Sequence, residues 1–212
     1  MSEPLVIVGA GGHGRETAYA YLLDHAPAQF LGFLDDSATG STTEGWPILG
    51  TIDSWPSFAK ARFSITINDP RARRAVVARM RATGSPHWTT IAHPDVRLHA
   101  TATHRTGCMF LGGAQLTTNI RFGDFCIVNR GVHVSHDCVI GSYVSLNPCA
   151  CIAGRVRIDD GCEIGSGCAI RQGVKIGAGA VVGLGATVVK DIRACTVVAG
   201  TPATHLKDTA PW

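Results

Sequence analysis

The sequence predicts a half-Rossmann-like α/β unit over residues 1–90, followed by a parallel β-helix with a C-terminal tail over residues 91–212. Two observations set this division. Residues 4 to 90 alternate short apolar runs with helical segments and show no repeat, whereas from residue 92 to 193 apolar residues recur every six positions without a slip. A period of six matches neither the roughly 3.6 of an α-helix nor the alternation of a half-solvated sheet. It matches short strands that turn a corner every six residues, with one bulky and one small side chain per side directed inward.

In the front unit, Leu5-Val6-Ile7-Val8 reads as a buried strand, followed by the turn Gly9-Ala10-Gly11-Gly12-His13-Gly14 and a helix from Arg15 to about His25. A second strand, Phe30 to Leu34, ends in Asp35-Asp36. Then come a polar, Gly-rich stretch from Ser37 to Gly45 and a short strand near Ile48. A third strand, Phe63 to Ile67, ends at Asn68-Asp69-Pro70, and Arg71 to Thr83 reads as a helix. This βαβ order predicts a small parallel sheet.

Gly9, Gly11 and Gly14 satisfy G-x-G-x-x-G directly after a strand and before a helix. Glycines there let backbone amides approach a pyrophosphate at a helix N-terminus, and Asp35 or Asp36, just over twenty residues on, stands where a ribose hydroxyl is held. A tight strand-to-helix turn is the other use of the same glycines. Ninety residues hold one mononucleotide half and not two, so the expected ligand is a nucleoside diphosphate carrying another group such as a sugar.

The repeat is regular enough to number. From Leu98 to Val188 in steps of six, fifteen of sixteen positions are apolar, the exception being His104. Four residues after each, from Ala102 to Ile192, every residue is small or apolar. Cys108, Cys126, Cys138, Cys162 and Cys168 occupy this second slot, where free cysteine acts as a small hydrophobe. No CxxC pair is present, so no metal site is expected. A formal charge of +3 without a basic cluster does not suggest nucleic acid. With no signal-like start and no apolar run near the ~20 residues of a membrane span, a cytoplasmic protein that makes no membrane contact is expected.

The hexads resemble those of the left-handed β-helix acyltransferases. More narrowly, four segments together resemble the sugar O-acyltransferase and nucleotide-sugar N-acetyltransferase family, with its sialic acid, bacillosamine and perosamine members. They are G-A-G-G-H-G, the D-D pair, V-S-H-D-C-V-I-G (Val134 to Gly141) and V-A-G-T-P-A (Val198 to Ala203). The resemblance implies a homotrimer that takes acetyl-CoA in the groove between neighbouring β-helices and works without a metal. It implies His136 as general base and Asp137 as the acid that supports it. Gly11, Gly12, His13, Asp35, Asp36 and Asn68 would lie along the nucleotide sugar. Ser145, Gly154, Ser166, Leu184 and Lys190 would line the coenzyme groove, with Gly200-Thr201-Pro202 near its pantetheine or phosphates. Ser145 departs from relatives that carry histidine there to contact the acetyl carbonyl.

The hexad register adds its own expectation. His136 holds the third hexad position, outside both inward columns, and stacks at intervals of eighteen with Ala100, Thr118, Gly154, Gln172 and Lys190. Gly154, one coil along, is expected to leave room for a thioester beside the base. His133 reads as a solvated surface residue. The expected activity is acetyl-CoA-dependent N-acetylation of a nucleotide-linked deoxy-amino sugar. Acetylation of a sugar hydroxyl is the nearest alternative, and an NAD-dependent oxidoreductase or a noncatalytic scaffold the more distant ones.

Overall fold

The computed structural model describes residues 3–38 and 41–212; Met1, Ser2 and the Thr39-Gly40 pair of the predicted polar stretch lie outside the described residues. The front unit consists of β1 (Leu5–Val8), α1 (Gly12–Leu22), β2 (Phe30–Leu34), β3 (Thr42–Thr43), β4 (Trp46–Gly50), β5 (Arg62–Ile65), α2 (Pro70–Ala82) and β6 (His87–Trp88). Among the described residues these strands form one sheet in the order β3-β4-β2-β1-β5-β6, parallel except for the β3–β4 hairpin. β1 is an unbroken apolar run because both faces of the sheet are covered. Leu5 and Ile7 pack with Ala18, Tyr21 and Phe33, while Val6 and Val8 pack with Trp55, Phe63, Val77 and Met80.

The helix after the glycine turn begins at Gly12, three residues earlier than the sequence suggests. Gly9 takes φ +106°, and a Cβ on Gly14 would collide with the Gly9 carbonyl, so the first helical turn can rest on the end of β1 only with glycine there. β5 stops at Ile65, two residues short of expectation, and the Thr66 hydroxyl caps the neighbouring chain by donating to the carbonyls of Val8 and Gly9 (both 3.0 Å). β6 was not expected from the sequence.

From Ile91 to Val188 the chain winds a left-handed parallel β-helix of two-residue strands stacked every eighteen residues, and an antiparallel pair, Thr196–Ala199 with Thr204–Asp208, ends its first face. Along the chain its three faces follow in a fixed order. The first carries Ile91, Met109, Ile127, Ser145, Glu163 and Val181; the second Gln115, His133, Cys151, Ala169 and Thr187; the third Thr103, Arg121, Val139, Arg157 and Lys175. Both inward columns merge into one core, and the five cysteines assigned to it are buried. His104 sits exposed on the first strand of the third face, its ring 5.5 Å from that of Phe110. The fourth hexad position has positive φ at every step from Gly107 to Gly185, and Asn119 (φ +55°) and Asp137 (φ +62°) fill it where most coils use glycine.

The front unit is seated on the first face and on the two corners that flank it. Arg73 of α2 is fully buried there and spends its whole guanidinium on the junction. Nε donates to the Phe125 carbonyl (2.9 Å), Nη1 to Ile67 and Asn68 carbonyls (2.6 and 2.8 Å), and Nη2 to the Tyr143 carbonyl and Ser145 Oγ (2.8 and 3.1 Å). Burial lowers its pKa to about 10, which leaves it charged at neutral pH. The tail returns to the same junction. Arg71 donates to the carbonyls of Ala210 and Pro211, and the Trp212 ring lies on Gly161 with the Arg74 guanidinium 4.1 Å from its centre.

Candidate active site

His136 stands on the corner between the second and third faces, exposed as the hexad register requires. Its Nδ1 lies 2.8 Å from Oδ2 of Asp137. An ionised carboxylate only accepts, so the ring proton belongs on Nδ1 and the lone pair on Nε2. The left-handed backbone at Asp137 turns its carboxylate back toward the ring that precedes it. Asn119, one coil earlier, donates Nδ2–H to the other oxygen, Oδ1, at 2.7 Å. The bond from Asn119, then that from His136, hold the Asp137 carboxyl below the usual carboxylate range despite some desolvation. Asn119 was not singled out in the sequence, although it stands eighteen residues before Asp137 in the same column.

Gly154 corrects one expectation. A Cβ there would lie 2.6 Å from Cε1 and 2.7 Å from Nε2 of His136, so the missing side chain makes room for the imidazole itself rather than for a thioester beside it. Ser145 corrects another. It is fully buried, donates Oγ–H to the Asn68 carbonyl (2.6 Å) and receives Arg73, because the front unit covers the face that carries it. It lines no groove and offers no hydrogen to an acetyl carbonyl. Ser166 and Leu184 are exposed one above the other on the corner between the first and second faces, with Leu184 82% exposed. Lys190 is exposed in the His136 column, three coils on. At about 4.8 Å per coil it stands roughly 14 Å from His136.

The glycine turn and Asp35 come together at a cavity of about 310 Å³ lined by Ala10, Gly11, Asp35, Ser37, Thr42 and Ile48. Asp35 is already committed. Oδ2 accepts from the Ala10 amide (2.7 Å), and Oδ1 accepts from the Ser37 amide and hydroxyl and the Ala38 amide. Burial pushes its pKa up, but these bonds outweigh it and the net shift is downward. Asp36 is not part of this cavity. It turns to Arg79, which grips both its oxygens (2.8 and 3.0 Å), and it accepts from the Ile52 amide. The structure therefore uses Asp36 to fasten α2 to the sheet, in place of the expected substrate contact.

Gly12 opens α1 at the same turn, exposed and with no atom within 4 Å of where its Cβ would stand. His13 turns from the turn toward the coil, its Nε2 3.2 Å from Met109 Sδ. Burial lowers its pKa, and Arg73 and Arg130 add to this against the opposing pull of Glu16. Asn68 Nδ2 donates to Asn147 Oδ1 (2.9 Å), and Asn147 Nδ2 in turn donates to Glu163 Oε1 (3.2 Å). Oδ1 of Asn68 is buried without a partner among the described residues. A separate cavity of about 360 Å³ between α1 and the coil, lined by Tyr19, Leu23, His93 and Arg130 among others, contains none of the expected site residues. Among the described residues no group of His, Cys, Asp and Glu is placed to hold a metal ion, and no helix is long and apolar enough to cross a membrane.

Comparison with known proteins gives a consistent result. The family described as the PglD N-terminal domain matches residues 4–80. The GDP-perosamine N-acetyltransferase of Escherichia coli O157:H7 is 34% identical over 167 residues, 76% of this chain and 74% of that protein. The acetyltransferase domain of PglB from Neisseria gonorrhoeae FA1090, solved in complex with acetyl coenzyme A, superposes with a TM-score of 0.89 at 30% identity, covering 97% of this chain and 100% of that one. PerB from Caulobacter crescentus, solved with CoA and GDP-perosamine, gives 0.89 at 25% identity, covering 98% and 99%. A match in sequence over about three quarters of the chain, and in fold over nearly all of it, removes the oxidoreductase and scaffold alternatives: the chain belongs to the nucleotide-sugar N-acetyltransferase family of left-handed β-helix enzymes.

Proposed function

We propose that this protein transfers the acetyl group of acetyl-CoA to the amino group of a nucleotide-linked deoxy-amino sugar, with His136 as general base. The observation that carries the reading is the His136–Asp137 pair on an exposed corner, in which Nδ1 takes the carboxylate and Nε2 does not. The amine attacks the thioester carbonyl carbon as Nε2 takes its proton. The C–S bond then breaks, and the proton returns from the imidazolium to the departing thiolate. Asp137 favours the imidazolium between these steps. The relatives named for perosamine acetylation, and those solved with acetyl-CoA or with CoA and GDP-perosamine, support this choice of co-substrate and acceptor.

The reading assigns residues 1–90 to the nucleotide sugar and 91–212 to acetyl-CoA. It also requires more than one chain. The corner that carries His136 lies opposite the first face, on which the front unit and its glycine turn are seated. The two are separated by the thickness of the prism, on the order of 15 Å for sides about six residues long. Reacting atoms must approach to about 3–3.5 Å. A second chain, most simply in a cyclic homotrimer, brings its own glycine turn to the His136 corner. Gly11, Gly12 and His13 then belong to the sugar side, and Ser166, Leu184 and Lys190 to the coenzyme groove.

The test is thiol release from acetyl-CoA with UDP-, dTDP- and GDP-linked 4-amino sugars, followed by hydroxylamine treatment of the product. An amide survives hydroxylamine and supports the reading. A cleaved ester would replace it with O-acetylation of a hydroxyl, and absence of release with every amino sugar would overturn it.

A further inference from the structure

The catalytic pair is held from a third residue. Asp137 is exposed, its side chain retaining 45% of its accessible surface, so water competes for both carboxylate oxygens. A carboxylate free to rotate would carry the His136 ring with it. The column of the fourth hexad position supplies a fixed donor. Asn119 and Asp137 stack eighteen residues apart, both with left-handed backbone, and the Asn119 amide reaches Oδ1 at 2.7 Å while Oδ2 serves His136. Asn119 is itself tied one coil further back, its main-chain N–H donating to Thr101 Oγ1 at 2.9 Å. The rungs Thr101, Asn119 and Asp137 thus form a ladder that ends on the imidazole.

We infer that Asn119 is a positioning residue for acetyl transfer, which fixes the Asp137 carboxylate so that the His136 ring presents Nε2 over Gly154. The inference rests on the proposed role of His136 as base. The choice of side chain is chemically specific. An amide donates without charge, whereas lysine or arginine at the same place would neutralise the carboxylate and cancel its support of the imidazolium. The charged or titratable groups facing Asp137 are His136 itself and Arg155, one coil on, whose side chain does not contact the carboxylate oxygens. Asparagine also accepts the positive φ that this position imposes.

Two substitutions test the assignment without straining the backbone. Asn119→Gly removes the amide at a position where the same column carries Gly173 three coils on, and Asn119→Asp replaces a donor by a second negative charge. Unchanged far-ultraviolet circular dichroism and thermal midpoints establish that both fold. In Asn119→Gly, kcat falls roughly tenfold, less than the ~10²-fold that a full ångström of misplacement costs. KM for acetyl-CoA stays constant, and the acid limb of the pH–rate profile moves to lower pH. In Asn119→Asp the acid limb moves to higher pH, because added negative charge holds the base protonated. A purely structural residue would not shift the limb in opposite directions. Wild-type kcat and an unmoved limb in both variants, with His136→Ala inactive, overturns the inference and leaves the base intact. Full turnover in His136→Ala overturns both.

Discussion

The imidazole of His136 occupies the volume that a side chain on Gly154 would fill, its Nε2 2.7 Å from the place of the absent Cβ. The ring is therefore located by two coils at once, one carrying it and the next leaving space for it. In Gly154→Ala the ring must rotate off Asp137, and kcat is expected to fall by about 10²-fold, the order seen when a reacting group is misplaced by an ångström. Unchanged thermal stability with that loss, measured on the same preparation, identifies displacement of the ring as the cause.

If one chain supplies the base and another the glycine turn, two inactive variants should rescue each other. His136→Ala lacks the base. Gly11→Trp fills the cavity at the turn, where nothing lies within 4 Å of the glycine's missing Cβ. Mixed from denaturant and refolded together, the two recover a fraction of wild-type turnover through sites that combine one intact half from each. Refolded separately, neither does. A mixture as inactive as its components contradicts a shared site.

The junction between the front unit and the coil depends on Arg73. Replacement by methionine strands the carbonyls of Ile67, Phe125 and Tyr143 in a buried place, while the Asn68 carbonyl keeps the Ser145 hydroxyl, and is expected to cost about 3 kcal/mol or more in urea unfolding. Lysine offers three hydrogens in place of five and recovers only part of that loss.

Asp35 links stability to pH. Its folded-state pKa is depressed, so its contribution is present above the unfolded carboxyl value of about 3.9 and disappears as pH falls through the folded value. Asp35→Asn should lower stability at pH 7 by on the order of 1 kcal/mol. The gap between variant and wild type should close at pH values below the folded pKa. Urea midpoints at both pH values check this, and a gap that persists in acid contradicts it.

The coil cysteines provide a direct check on register. Cys108, Cys126, Cys138, Cys162 and Cys168 are buried, and burial pushes the Cys162 thiol up to about 12, so these five are expected to resist a thiol reagent until the chain unfolds. Rapid native-state labelling of any of them, located by peptide mass, would contradict the inward assignment.

The coil was legible in the sequence because its rule is local. Each hexad repeats the same corner, and a phase error of one residue would have turned the cysteine column outward. The outward setting of His136 follows from the same register. Three features were not legible. Which face the front unit covers depends on contacts between residues far apart, such as Arg73 with Tyr143 and Asn68 with Asn147, so Ser145 read as an open position when it is buried. Asp36 and Arg79 are forty-three residues apart, and nothing in the D-D pair shows that one carboxylate faces the glycine turn while the other fastens α2. Asn119 was readable only after the fourth hexad position was recognised as left-handed, since its partner lies one full coil away.

The most direct test of the central claim is single-turnover acetyl transfer by His136→Ala, with acetyl-CoA binding measured on the same protein by calorimetry. The account predicts binding close to wild type and transfer slowed by about 10³-fold, within the range that general base catalysis supplies. Transfer at the wild-type rate by that variant would contradict it.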